Sequence, residues 1–179
     1  MGRAGVRAAV TGVLTSSVLV LALAACAGSS GEPAASGTPA PTPAAPTTRA
    51  AIDDVPLAGG ASGAGLPPGA EAGSMGGPGA GWTAQDGLLY VVTYGSSTCP
   101  ILAESPATST GTTLVVTLTS PSSGPCTMDL APTTSVVAVP DAVDESAPVR
   151  VDLGHDQVVT VAPRPAAGAA GPIAWVAAG

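Results

Sequence analysis

The chain has 179 residues, 5 Lys plus Arg against 12 Asp plus Glu, and a formal net charge of −7. The basic residues are all Arg, and Lys, Asn and Phe do not occur, while Ala, Gly, Pro, Thr and Val dominate. So acidic a field repels phosphate backbones and bare anionic surfaces, which argues against nucleic acid as a partner, and the length allows one ordinary domain.

Arg3 and Arg7 form a positive start, Val10 to Leu23 an apolar stretch, and Ala24-Ala25 a small-residue cleavage site, the three parts of an export signal in their proper order. Leu23-Ala24-Ala25-Cys26 resembles the lipobox of bacterial lipoproteins. The resemblance implies removal of residues 1–25 as a lipoprotein signal peptide. It also implies a lipid on Cys26 and residence at the extracytoplasmic face of the cell membrane. Several acyl chains, at about 0.8 kcal/mol per buried CH2, give a stable anchor where one chain does not. The alternative is a permanent transmembrane anchor, but no basic cluster follows; the next Arg is Arg49. Cleavage removes Arg3 and Arg7 and no acid, so the charge moves from −7 to −9.

From Cys26 to Gly81 the sequence is Gly, Ala, Pro, Ser and Thr with scattered apolar residues and no period. This composition predicts a disordered linker over 26–81, stiffened toward polyproline geometry around Thr38 to Pro43 and flexible at Gly59 to Gly63 and Gly76 to Gly79. As a coil it spans about 40 Å. Its Thr and Pro clusters are alternatively O-glycosylation acceptors. The glycines of Gly63 to Gly69 have the wrong spacing for a phosphate loop.

At Trp82 the composition changes, and a β domain is expected over 82–179, with its core about 82–163. Leu88 to Tyr94 is a run of Leu, β-branched and aromatic residues, the pattern of a strand buried largely on both faces. Thr113 to Thr119 alternates, with Leu114, Val116 and Leu118 on one face. Loops follow at Glu104 to Thr112 and Ser120 to Pro125, and a short strand at Ser135 to Val139 stops at Pro140. Val149 to Leu153 and Gln157 to Ala162 form a hairpin around Gly154, His155 and Asp156. Ile173 to Val176 is a possible last strand. About six short strands punctuated by Pro and Gly indicate an all-β fold, a small sandwich or barrel.

Cys99 and Cys126 are the remaining cysteines once Cys26 is set aside, and an exported chain oxidises such a pair to a disulfide. The closed loop contributes about 3.5 kcal/mol by the chain-entropy estimate. The C-x-x-C spacing of redox-active pairs is absent. Around these cysteines, Tyr94-Gly95-Ser96-Ser97-Thr98-Cys99-Pro100 and Cys126-Thr127-Met128-Asp129-Leu130-Ala131-Pro132-Thr133-Thr134-Ser135-Val136-Val137 resemble small uncharacterised lipoproteins of high-G+C Gram-positive bacteria. The resemblance covers about Trp82 to Val161. It implies a secreted β domain with the Cys99 to Cys126 bridge, and carries no catalytic residue, ligand or cofactor.

Candidate chemistry is sparse. His155 is the one His, in a Gly-His-Asp turn, with no second His for a zinc set and no G-x-S-x-G elbow to make a Ser nucleophile. Asp141, Asp144 and Glu145 form an acidic loop without EF-hand spacing, read as solvated, with weak Ca2+ binding as its alternative. Trp82, Tyr90, Tyr94 and Trp175 are read as core. The expectation is a non-enzymatic, membrane-anchored binding or interaction module of the cell envelope, facing an envelope protein or wall polymer, with no catalytic or metal residues. The alternative is a hydrolase or ligand-handling lipoprotein with a loop site around His155, Asp156, Ser96 and Ser97.

Overall fold

A computed structural model describes residues 49–73, 76–120 and 123–177, so the expected signal peptide, Cys26 and the expected linker through Thr48 lie outside the described residues. Strands run in chain order as β1 Ser62–Ala64, β2 Gly79–Trp82, β3 Leu88–Gly95, β4 Leu102–Ala103, β5 Thr108–Thr110, β6 Thr113–Val115, β7 Leu118–Thr119, β8 Ala131–Ala138, β9 Val149–Asp152, β10 Val158–Val161 and β11 Ala174–Trp175. The fold is all-β. A 5-stranded sheet has the order β1-β8-β3-β2-β11, a 4-stranded sheet β10-β9-β6-β5, and a 2-stranded sheet β4-β7. Pairing is antiparallel except between β6 and β9, which run parallel.

Side chains alternate across the long strands, so β3 sends Leu89 and Val91 to one face and Leu88 and Tyr90 to the other. Leu89, Val91, Trp82 and Val137 of the larger sheet meet Leu114, Val151, Val159 and Val161 of the 4-stranded sheet in the main core. The arrangement is a sandwich rather than a barrel. The opposite face of β3 is also buried, because Ile52, Val55, Leu57 and Ala61 from upstream pack over Leu88, Tyr90 and Val136.

That second layer moves the domain boundary expected at Trp82. Residues from Ala50 onward belong to the β domain. Ala64 donates its N–H to the Ala50 carbonyl at 2.8 Å, β1 pairs with β8, and β2 pairs with β3 along its whole length. The composition of 49–81 hides this because Gly and Ala dominate, yet a few apolar residues suffice where they land on an apolar sheet face. The strands number more than the expected six or so for a related reason. The stretch expected as one strand over 113–119 divides after Val115, and Leu118–Thr119 crosses to pair with β4. The loop expected at 104–112 contains β5, and the strand expected from Ser135 begins at Ala131. Pro132 is tolerated there opposite Tyr94, near the end of the β3–β8 ladder.

The sheet register also fixes a polarity. β1 and β3 both run antiparallel to β8 and therefore parallel to each other. Ala51 bridges Ala64 in parallel, and the Arg49 guanidinium donates to Ser62 Oγ at 3.1 Å. From Arg49 to Ala51 the chain thus travels in the direction of β3, away from the Leu88 end and toward the Tyr94 end.

Candidate functional site

At the Tyr94 end a cleft of about 550 Å³ opens between the sheets. Gly76, Gly77 and Pro78, which lead into β2, form one side with Thr93 and Tyr94 of β3; Ile101, Leu118, Thr119 and Ser120 form another, and His155 and Gln157 complete it from the β9–β10 hairpin. Two other hollows are smaller, about 280 and about 310 Å³, the first beside the loop 142–149 and the second beside Pro67 to Ala70.

The hairpin tip is built as the sequence suggested. Leu153 N–H donates to the Gln157 carbonyl at 2.8 Å, and Gly154 N–H to Asp152 Oδ1 at 2.8 Å. Gly154, His155 and Asp156 all take left-handed backbone angles, with φ of 80°, 51° and 60°. Asp and His tolerate that region better than branched residues do, which suits them to this turn. The turn leaves His155 exposed on the cleft wall and Gln157 half-buried beside it.

Polar side chains in the cleft divide into two kinds. Thr93 Oγ1 donates to the Ile101 carbonyl at 2.6 Å, and so is occupied by the fold. Among the described residues, the side chains of Thr119, Ser120, His155 and Gln157 make no hydrogen bond to the protein. Among the described residues the buried Tyr94 hydroxyl has no hydrogen-bond partner, and its ring lies 6.1 Å from that of Trp175.

Ser96 and Ser97, the other half of the hydrolase alternative, are committed elsewhere. Ser96 Oγ lies 2.8 Å and Ser97 Oγ 3.1 Å from Thr127 Oγ1, Ser97 N–H donates to Asp129 Oδ1 at 3.0 Å, and Thr127 Oγ1 donates to the same carboxylate. Those bonds, led by the Thr127 hydroxyl and followed by Ser97, hold the Asp129 carboxyl down at about 2. This polar knot surrounds the Cys99–Cys126 disulfide, whose Cα atoms are 5.3 Å apart. It presents Met128 at 106% and Leu130 at 69% exposure. The structure therefore brings His155 and Asp156 together in one turn but engages Ser96 and Ser97 with the disulfide loop. No Ser, His and Asp relay forms from these residues.

The acidic loop disperses in the same way. Asp144 Oδ1 accepts the Ser146 N–H at 2.9 Å and the Ser146 hydroxyl, which lower its pKa. Glu145 turns inward to Arg164 and accepts the Gly87 N–H at 2.8 Å. Among the described residues no group of three or more His, Cys, Asp or Glu gathers as a metal site. Of the aromatic residues, Trp82 is fully enclosed and Tyr90 packs on the second layer, as read from the sequence, while Tyr94 and Trp175 remain partly exposed.

Sequence reasoning found His155 but missed Gln157, Thr119 and Ser120. No linear signal marks them, since positions 76–78, 118–120 and 155–157 meet only through strand register. No family model, curated protein or solved structure matches this chain.

Proposed function

We propose that the chain is a lipid-anchored, non-enzymatic binding module of the cell envelope. In this reading Cys26 carries the acyl chains, the stretch up to Thr48 is the tether, and the β domain presents its cleft to an envelope component. The observation that supports it most is the cleft at the Tyr94 end, where the side chains of Thr119, Ser120, His155 and Gln157 make no hydrogen bond to the protein among the described residues and so are left for a ligand. The hydrolase reading has less support, because Ser96 and Ser97 bond to Thr127 and Asp129.

Two measurements test the two halves of the proposal. Mass analysis of the exported protein is expected to give an acylated N-terminal Cys26 peptide, and Cys26→Ser to move the protein from the membrane to the soluble fraction; an unmodified Cys26 overturns the anchor. A photo-reactive p-benzoylphenylalanine at exposed Ser120, on the cleft rim, is expected to capture an envelope component in living cells, while the same group at exposed Thr160 is not. Equal or absent capture at both positions overturns the binding module.

A further inference from the structure

We infer that the cleft at the Tyr94 end binds a neutral saccharide, held by Thr119, Ser120, His155 and Gln157; the inference rests on the binding-module reading and names its ligand. Three properties of the cleft converge on this chemistry.

Its size suits a small ligand. At about 550 Å³ it falls within the range of about 300–1,000 Å³ common for small-molecule sites.

Its lining is uncharged. No Asp, Glu, Lys or Arg stands among the residues that form it, although the chain as a whole carries a net charge of −7. An ionic ligand entering here gives up hydration and meets no counter-charge, which is costly. The surrounding acidic field disfavours an anion further.

Its polar groups are free and two-sided. Hydroxyl, amide and imidazole groups each offer a donor and an acceptor, and Thr119, Ser120, His155 and Gln157 use neither within the protein among the described residues. Elsewhere in this molecule clustered hydroxyls satisfy one another, as Ser96, Ser97 and Thr127 do. Sugar hydroxyls likewise donate and accept, and the C–H faces of a sugar ring match the apolar surface of Pro78, Ile101 and Leu118. A peptide added as a strand has less to hold it, since β7 on this wall is only 2 residues long and offers few ladder bonds.

The test uses the chain from position 26 onward with Cys26→Ser, labelled with 15N and titrated with neutral tetrasaccharides of N-acetylglucosamine, glucose and mannose at up to about 10 mM, a range that detects even weak binding. At least one is expected to move the amide signals of Thr119, Ser120, His155 and Gln157. Gln157→Ala, which removes a partly exposed side chain, is expected to weaken binding about tenfold, the effect of one lost hydrogen-bonding group. His155→Gly, which suits the left-handed backbone there, is expected to weaken it similarly, and Thr160→Ala to leave it unchanged. Unaltered signal dispersion in each variant shows that the fold is retained.

No shift with any of these sugars overturns the saccharide assignment, and shifts confined to the Met128 to Leu130 loop overturn its location. If the photo-reactive group at Ser120 captures only a protein, the binding module stands and the saccharide falls. If it captures nothing, both fall.

Discussion

The Arg164 guanidinium carbon lies 5.2 Å from the centroid of the Trp82 ring, so a cation caps the largest side chain of the main core. Arg164 is only 8% exposed at its side chain, and it binds Glu145 while donating to the Thr83 carbonyl at 2.9 Å and the Gln85 carbonyl at 2.6 Å. Three distant parts of the chain, the connector after β10, the 83–87 turn and the acidic loop, are thereby tied over the end of β2.

Arg164→Ala is expected to cost about 2–4 kcal/mol in urea unfolding, because it strips the ring of its cation and leaves the Glu145 carboxylate partly buried without its partner. Arg164→Lys should recover only part of this, since an ammonium cannot serve both carbonyls and the carboxylate in the guanidinium plane. A loss below about 0.5 kcal/mol, the level of ordinary exposed ion pairs, contradicts the capping role.

The upstream layer gives a second test. A chain beginning at Trp82 lacks β1, the Gly79–Gly81 part of β2 and the cover over Leu88, Tyr90 and Val136. It is expected to show poor amide dispersion and no cooperative unfolding, whereas a chain beginning at Arg49 folds. Ile52→Ala, in the intact chain, should cost about 2–4 kcal/mol as a large-to-small change at a site 5% exposed. A cooperatively folded fragment from Trp82 refutes a domain boundary at Ala50.

The sequence did contain half of that answer. Leu88 to Val92 is apolar at every position, a pattern that demands cover on both faces, and one face is met by the opposing sheet. The other cover is Ile52, Val55 and Leu57, spread through a stretch whose composition is that of a linker. Local propensity was a sound guide to β3 and to the β9–β10 hairpin, where β-branched runs flank a turn. It was a poor one for β2, where Gly79, Ala80 and Gly81 have weak strand preference and are fixed by their neighbours. The cleft was legible only at His155, because its other polar residues are ordinary Thr, Ser and Gln until register brings them together.

The disulfide loop predicts its own loss. Cys99 and Cys126 are 27 residues apart in sequence, and the short strands β4 to β7 lie between them. Replacing both by Ser is expected to cost about 3.5 kcal/mol, through the greater freedom of the unfolded chain. Thermal melts of the double variant check this, and an unchanged midpoint contradicts it.

Asp129 makes that loop sensitive to acid. Its carboxyl is lowered from 3.8 to about 2, chiefly by the Thr127 hydroxyl and then by Ser97. A depressed carboxylate favours the folded loop fully above its unfolded value and loses that effect as pH falls through the folded one, so the window runs from about 4 down to about 2. Carboxyl-carbon NMR titration should give a midpoint near 2, rising toward 3.8 in Thr127→Ala. Asp129→Asn should remove the pH dependence of the Ser97 amide chemical shift within the same window. A wild-type midpoint near 3.8 contradicts the network.

Gly79 and Trp175 are cross-strand partners, and a Cβ added at Gly79 would lie 2.5 Å from Trp175 Cε3 and 2.8 Å from Ile173 Cγ2. One at Gly73 would lie 2.4 Å from Trp175 Cδ2, so the indole is received by glycine on two sides. The same alternation sends Ala80 and Trp82 to the main core and leaves Gly79 and Gly81 bare for Ile173 and Trp175. Gly79→Ala must therefore displace the indole, with an expected cost of about 1–3 kcal/mol for overpacking. The Tyr94 ring, 6.1 Å from Trp175, moves with it, and the cleft wall is altered along with stability. Trp175 emission, isolated in a Trp82→Phe background, should shift to the red as the indole leaves its seat. An unshifted emission with full stability would mean that β2 absorbs the added methyl, and that glycine is not what seats Trp175.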